Sequence, residues 1–168
     1  MPKVSREVVG EGDYHEVAAA VRLDGSSPFL ETLEALGRGV WLDPDAGDFP
    51  DAGQPSMRRR VLAEIAHLAQ EGEPARDYDY LVDGIWEFKI GTLRVTFYDT
   101  DGQGRFDPKE GERPDSYWTK RRWDFPEGGM DEYVRLGHCF AKTGQKTRDA
   151  DIELALKVRE EDLSHDRD

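Results

Sequence analysis

Cationic side chains collect in one window of an otherwise acidic chain. Between Tyr133 and Arg148 stand Arg135, Lys142, Lys146 and Arg148 without a single carboxylate. Elsewhere Asp43, Asp45, Asp48 and Asp51 load one stretch, and Asp149, Asp151, Glu153, Glu160, Glu161, Asp162, Asp166 and Asp168 load the C-terminus. A basic window on that background is a candidate anion site, although charge alone describes solvated lysines at a strand end equally well. A second chemistry is written into the run from Asp99 to Glu110. Carboxylates stand at its first, third, ninth and twelfth positions (Asp99, Asp101, Asp107 and Glu110), with Gln103 at the fifth and Gly104 at the sixth. That is the spacing of a calcium loop, so calcium is the one cofactor the spacing suggests. Its flanks argue against an EF-hand, because a strand pattern leads in and Gly111 to Pro114 is a poor helix start.

These groups need a scaffold. Ile85 to Ile90 and Leu93 to Tyr98 both alternate, with Gly91 in the turn between them, and Asp83-Gly84 opens the pair. Trp86, Phe88, Ile90, Leu93, Val95 and Phe97 then form a core face. Glu87, Lys89, Arg94, Thr96 and Tyr98 share the other face, where chemistry has room. Tyr133 to Ala141 reads as a further strand. On its alternation His138 falls with Val134, Leu136 and Phe140, on the core side.

Helices frame these strands. Ser27 suits an N-cap and Pro28 a first helical position, with Phe29, Leu30, Leu33 and Leu36 at helical spacing before Gly37 and Gly39. Ser56 to Glu71 carries the stripe Val61, Ile65, Leu68 and Ala69. Its first turn holds Arg58, Arg59 and Arg60, which oppose the helix dipole. Thr147 reads as the cap of a last helix, with Asp149 and Asp151 well placed in its first turn and Ile152, Ala155, Leu156 and Leu163 facing the sheet. His15 to Leu23 fits a strand or a short helix. Asp99 to Asp131, rich in Gly and Pro, reads as one long insertion holding Trp118 and Trp123. The expectation is an α+β fold: a small, mostly antiparallel sheet packed with two N-terminal helices and one C-terminal helix.

With 168 residues the chain suits one domain, 1–168. A formal net charge of −13 speaks against a protein that coats nucleic acid nonspecifically. The single Cys139, the lack of a signal-like apolar run after Lys3 and Arg6, and the lack of a membrane-length apolar run lead to the expectation of a cytoplasmic protein without a membrane partner.

The stretch from Asp83 to Leu163 resembles the core of the RelE/ParE-type toxins, in the HigB-like, phage-derived branch of type II toxin–antitoxin systems. Asp83-Gly84-Ile85-Trp86-Glu87-Phe88-Lys89 is similar to one strand of that family and Leu93-Arg94-Val95-Thr96-Phe97-Tyr98 to the next, which carries the family's arginine. Phe140, Lys142, Gln145, Lys146 and Thr147 match the segment that follows the last strand, and Asp151 to Glu161 resembles the final helix. Thr143 and Arg148 depart from the pattern, where a second lysine and a proline are common, and the insertion is far longer than the usual hairpin.

The resemblance implies a RelE-like fold and a toxin that inhibits translation as an mRNA endoribonuclease without a required metal. Its partners would be a helix-turn-helix antitoxin, mRNA and the ribosome. Arg94 would clamp phosphate, Lys142 and Lys146 would add charge, and His138 would act as acid or base. Lys89, Tyr98, Arg135 and Arg148 would hold RNA. The alternative is a catalytically degenerate RelE-like binding or regulatory protein, with or without calcium at 99–110.

Overall fold

The structure, a computed structural model, describes residues 4–40, 55–75, 77–109, 125, 129–141 and 147–167. Its elements in chain order are β1 (Val8–Glu11), β2 (Glu16–Ala19), α1 (Pro28–Gly37), α2 (Pro55–Glu71), β3 (Tyr78–Val82), β4 (Ile85–Ile90), β5 (Leu93–Thr100), β6 (Tyr133–Ala141) and α3 (Asp149–Ser164). The strands form one sheet in the order β1-β2-β6-β5-β4-β3. Every pairing is antiparallel except β2 with β6. The architecture is α+β, with three helices among the described residues.

The sheet is wider than expected. Strand β1 and strand β3 extend its two edges, and the ambiguous segment after His15 settles as strand β2. The β3–β4 hairpin closes through Asp83 and Gly84, both with positive φ (47° and 81°). Asp-Gly tolerates that backbone better than most pairs, and such a turn matches the twist of the strands it joins. Gly91, at φ 59°, turns β4 into β5 and sets Lys89 opposite Arg94. Helix α1 starts with Pro28 as expected, but Ser27 makes no side-chain cap bond. The cap position of α3 falls to Arg148 rather than Thr147, and Asp149 and Asp151 sit in the first turn.

One sheet face is apolar. Trp86, Phe88, Leu93, Val95, Phe97, Val134 and Leu136 pack against Phe29, Leu33 and Leu36 of α1 and Met57, Val61, Ile65 and Leu68 of α2. The other face is covered by α3, which turns Ala155, Val158 and Leu163 onto Ile85 and Tyr98. Between those apolar positions α3 also buries Asp151, Arg159 and Asp162. Ile152 and Leu156, expected to pack on the sheet, are only partly buried.

A bulge in β6 changes which residues share a face. Val95 pairs with Cys139 and Phe97 with Leu136, so Gly137 and His138 together oppose the single residue Thr96. A Cβ on Gly137 would lie 2.5 Å from Thr96 Oγ1, so this close approach requires glycine. Beyond the bulge the alternation reverses. Cys139 and Ala141 join the apolar face, while His138 and Phe140 join Arg94 and Thr96 under α3. The expectation that His138 lies with Val134 and Leu136 is therefore corrected.

Candidate functional site

The bulge, the Gly91 turn and the start of α3 gather chemistry at one end of the sheet. His138 is 3% exposed and held from two sides. Its backbone N–H donates to Thr96 Oγ1 at 2.9 Å, and its Nδ1 lies 3.3 Å from the same hydroxyl. Its Nε2 lies 3.5 Å from Asp151 Oδ1. Asp151 accepts a further 2.7 Å bond from Arg148 Nε. Burial alone would push the Asp151 carboxyl up, but the contacts from His138 and Arg148 outweigh it and hold its pKa below the ordinary 3.8. The result is a chain Thr96–His138–Asp151–Arg148 linking the middle of the sheet to the first turn of α3. The rings of His138 and Phe140 stack at 5.5 Å.

Arg94 pairs in register with Phe140 on this face. Its Nη1 donates to the carbonyls of Gly91 (2.7 Å) and Leu93 (3.1 Å), and its Nε lies 3.7 Å from the fully buried Glu87 carboxylate. Burial lowers the Arg94 pKa against the upward pull of Glu87, Asp79 and Asp77. Gly91 also lines a cleft of about 340 Å³, walled by Arg60, Glu64 and His67 of α2 together with Asp77, Lys89 and Ile90. Lys89 Nζ lies 2.6 Å from Asp79 Oδ2, and Glu64 accepts a 2.7 Å bond from the Ala75 amide. Arg94 thus stands outside the cleft beside its cross-strand partner Lys89, and Lys89 reaches the cleft that Arg60 and His67 line.

Of these, Arg94, Lys89 and His138 are named by the sequence, and Arg60 only as one of three cations in the first turn of α2. His67, between the apolar stripe positions Ile65 and Leu68, is not singled out by the sequence. Only the meeting of α2 with the β4–β5 turn gives His67 meaning. Lys142 and Lys146 fall outside the described residues. They follow Ala141, which pairs with Leu93 at this same sheet end.

Two proposed contact residues lie elsewhere and are corrected. Tyr98 is buried under α3, where its hydroxyl donates to Asp162 Oδ2 at 2.7 Å. Burial first, and then the Asp162 carboxylate, hold that hydroxyl pKa well above 10, so Tyr98 stays a structural donor with no face open to a base. Arg135 is buried beside it, 3.8 Å from the same carboxylate. Arg6 completes the cluster, donating to Asp162 and Asp166 at 2.9 Å each. Neither Tyr98 nor Arg135 presents an open surface to RNA. Arg148 remains partly exposed at the cap of α3.

The 99–110 segment has an internal cation. Lys109 Nζ lies 3.2 Å from Asp99 Oδ2, 3.5 Å from Asp131 Oδ2 and 3.0 Å from the Asp107 carbonyl. Asp99 also accepts the Asp131 amide at 2.6 Å, and Asp101 caps its own turn through the amides of Gln103 and Arg105. Among the described residues no three carboxylates, histidines or cysteines group to hold a metal. Glu110 lies outside the described residues. No helix among those residues is long and apolar enough to cross a membrane.

The chain matches no family model and no curated protein.

Proposed function

We propose that the chain is a RelE/ParE-type toxin that cuts mRNA at the sheet end carrying Arg94. The observation that carries this reading is the pairing of Arg94 with Lys89 across the Gly91 turn, Lys89 also lining the cleft that holds Arg60 and His67 of α2. The strand–strand–strand–helix order of β4, β5, β6 and α3, which the sequence resemblance implies, adds to it. In such a reaction the 2′-hydroxyl of RNA attacks the adjacent phosphate. The P–O bond to the 5′-oxygen breaks, leaving a cyclic phosphate and a free 5′-hydroxyl. The protein has to take one proton, steady charge on the phosphoryl oxygens and return a proton to the leaving oxygen. Arg94 supplies a planar fork for the phosphate, and Lys89 and Arg60 supply further charge. Lys142 and Lys146, next in the chain after β6, add to it.

The imidazoles divide the remaining work. His138 is closed in by Thr96, Asp151 and Phe140, which suits it to fixing the Arg94 end of β6 against α3. His67, half-buried in the cleft, is the imidazole within reach of a ligand there. A second reading, a RelE-like binder without catalysis, is favoured by the same closure of His138 and by the Arg94–Glu87 contact, which occupies part of the cation. The antitoxin and RNA are partners in the first reading; the antitoxin alone suffices in the second.

One experiment separates them. Induced expression of the wild type is expected to arrest growth and, with ribosomes and mRNA in vitro, to yield cut transcripts. Arg94→Ala is expected to lose both, and Lys142→Ala to weaken both. Full growth together with intact mRNA would overturn the nuclease. Arrest that survives Arg94→Ala would favour the binder.

A further inference from the structure

At the opposite end of β6 from Arg94 lies a second cavity, of about 270 Å³. It is lined by Tyr14, His15, Glu71, Glu73, Phe125 and Met130, with Gly72 and Gly129 completing the wall. Tyr133 and Ala141 bound β6, so the two sites are separated by roughly 26 Å of strand. The cavity is built on fixed backbone. The amides of Tyr14 and His15 both donate to the Ala69 carbonyl at the end of α2 (3.0 and 3.1 Å), and Gly12 N–H donates to the His15 carbonyl. Glu16 N–H ties the other flank to Glu132 at 3.0 Å. A Cβ on Gly12 would meet α2 backbone at 2.8 Å, so the turn runs directly against the helix where only glycine fits.

His15 is the anomaly. It is 3% exposed, and neither ring nitrogen has a hydrogen-bond partner among the described residues. A buried polar group left in that state costs about 1–3 kcal/mol, and native proteins rarely leave one without a reason. The charged groups around it favour a cation. Glu71 and Glu73 line the cavity, and neither is ion-paired with any of the described residues. The negative end of the α2 dipole points here, and the last turn of α2 carries no basic residue. Tyr14 and Phe125 supply aromatic walls.

We infer that this cavity receives the guanidinium group of an arginine on a partner polypeptide. A guanidinium is planar, is more weakly hydrated than an ammonium and stacks on aromatic rings while donating in plane. One His15 nitrogen accepts from it, and the other donates to the carbonyl of the arriving peptide. The cavity is below the roughly 300–1,000 Å³ of drug-sized sites, as a single side chain requires. Free arginine fits less well, because its carboxylate would meet Glu71 and Glu73. This inference concerns a different site and stands whether or not the chain cuts RNA.

The test is a titration of the full chain, followed by ¹⁵N signals of the histidine rings, with N-acetyl-arginine-N-methylamide, free arginine, and the capped citrulline analogue. The capped arginine is expected to shift the His15 ring nitrogens with a Kd on the order of 1 mM. Free arginine is expected to bind several-fold more weakly and citrulline not at all. The surface pair Glu71→Gln and Glu73→Gln, which leaves the core intact, is expected to weaken capped arginine about tenfold at low salt and less at high salt. His15→Phe is expected to abolish binding while the protein stays folded. Unmoved His15 signals, equal binding of citrulline, or indifference to the glutamate substitutions would each overturn the proposal. Free arginine binding as tightly as the capped form would overturn the peptide source.

Discussion

The two faces of the sheet are held by different physics. The face under α1 and α2 is a layer of side chains that need only shape and volume, such as Trp86, Phe88, Ile65 and Leu36. The face under α3 is organised around one fully buried carboxylate. Asp162 accepts from Tyr98 Oη at 2.7 Å, from Arg6 Nε at 2.9 Å and from the Val21 amide at 2.9 Å, with Arg135 at 3.8 Å. A second ionic contact, Arg159 onto Asp83, ties α3 to the β3–β4 turn, with the guanidinium 4.0 Å above the Phe106 ring. The apolar face yields little to a change in charge and much to a change in volume; the ionic face responds the other way. An enzyme site on the α3 side would therefore sit in a prearranged field, which is where cations and carboxylates are worth most.

Removing the hub should have the largest effect. Asp162→Ala removes the carboxylate beside the buried Arg135, takes one of the two carboxylates that hold Arg6 and leaves Tyr98 without its acceptor, so a loss of about 3–5 kcal/mol is expected in urea unfolding. Tyr98→Phe removes only one donor and should cost about 1–2 kcal/mol. In a double-mutant cycle the two should couple strongly, because they share one bond. An additive pair would break the view of Asp162 as the organiser of this face. On the apolar face Ile65→Ala should cost about 2–5 kcal/mol through its cavity, to the same extent from pH 5 to 8. A marked pH dependence of that loss would mean that the two faces are not separable.

A smaller effect sharpens the contrast through pH. The folded pKa of Asp151 lies below its ordinary value, so its contacts add stability above about pH 4, and that stability is lost as pH falls through the depressed value. Asp151→Asn should cost about 1–2 kcal/mol at pH 7 and progressively less as the medium is acidified. A difference between variant and wild type that stays constant down to pH 2 would remove the Thr96–His138–Asp151–Arg148 chain from the account.

The same contrast explains what could be read in advance. The apolar face follows from alternation and helical spacing, and β4, β5, β6, α1 and α2 were legible with their core residues. The ionic face was not, because its bonds join residues such as Arg6 and Asp162, which lie 156 positions apart. In α3, Asp151, Arg159 and Asp162 occupy inward positions where a pattern rule puts leucines. The outer strands β1 and β3 are only four and five residues long, too short for their alternation to mark them, although Tyr78, Tyr80 and Val82 are strand-forming types. Of the candidate site, Arg94 and Lys89 were legible from strand parity. His67 was not, since its value comes from the approach of α2 to a turn. His138 was assigned to the wrong face because alternation carries no signal of a bulge, and Gly137 is its only trace in the chain.

That bulge can be tested directly, with little cost to stability. Counted by simple alternation from Val134, Cys139 belongs on the α3 face; across the bulge it faces α1, where Thr32 hydrogen-bonds its thiol. Cys139 is only partly exposed, and its apolar surroundings push the thiol pKa up to about 12, so little thiolate is present at pH 8 and labelling by a thiol reagent should be slower than after unfolding. Direction is decided by crosslinking. Thr32→Cys should form a disulfide with Cys139 under mild oxidation, whereas Asp151→Cys, on the first turn of α3, should not, because the sheet itself stands between the two sulfurs. The reverse pattern would return His138 to the apolar face. It would also separate His138 from Arg94, and with that the shared face at this sheet end would be gone.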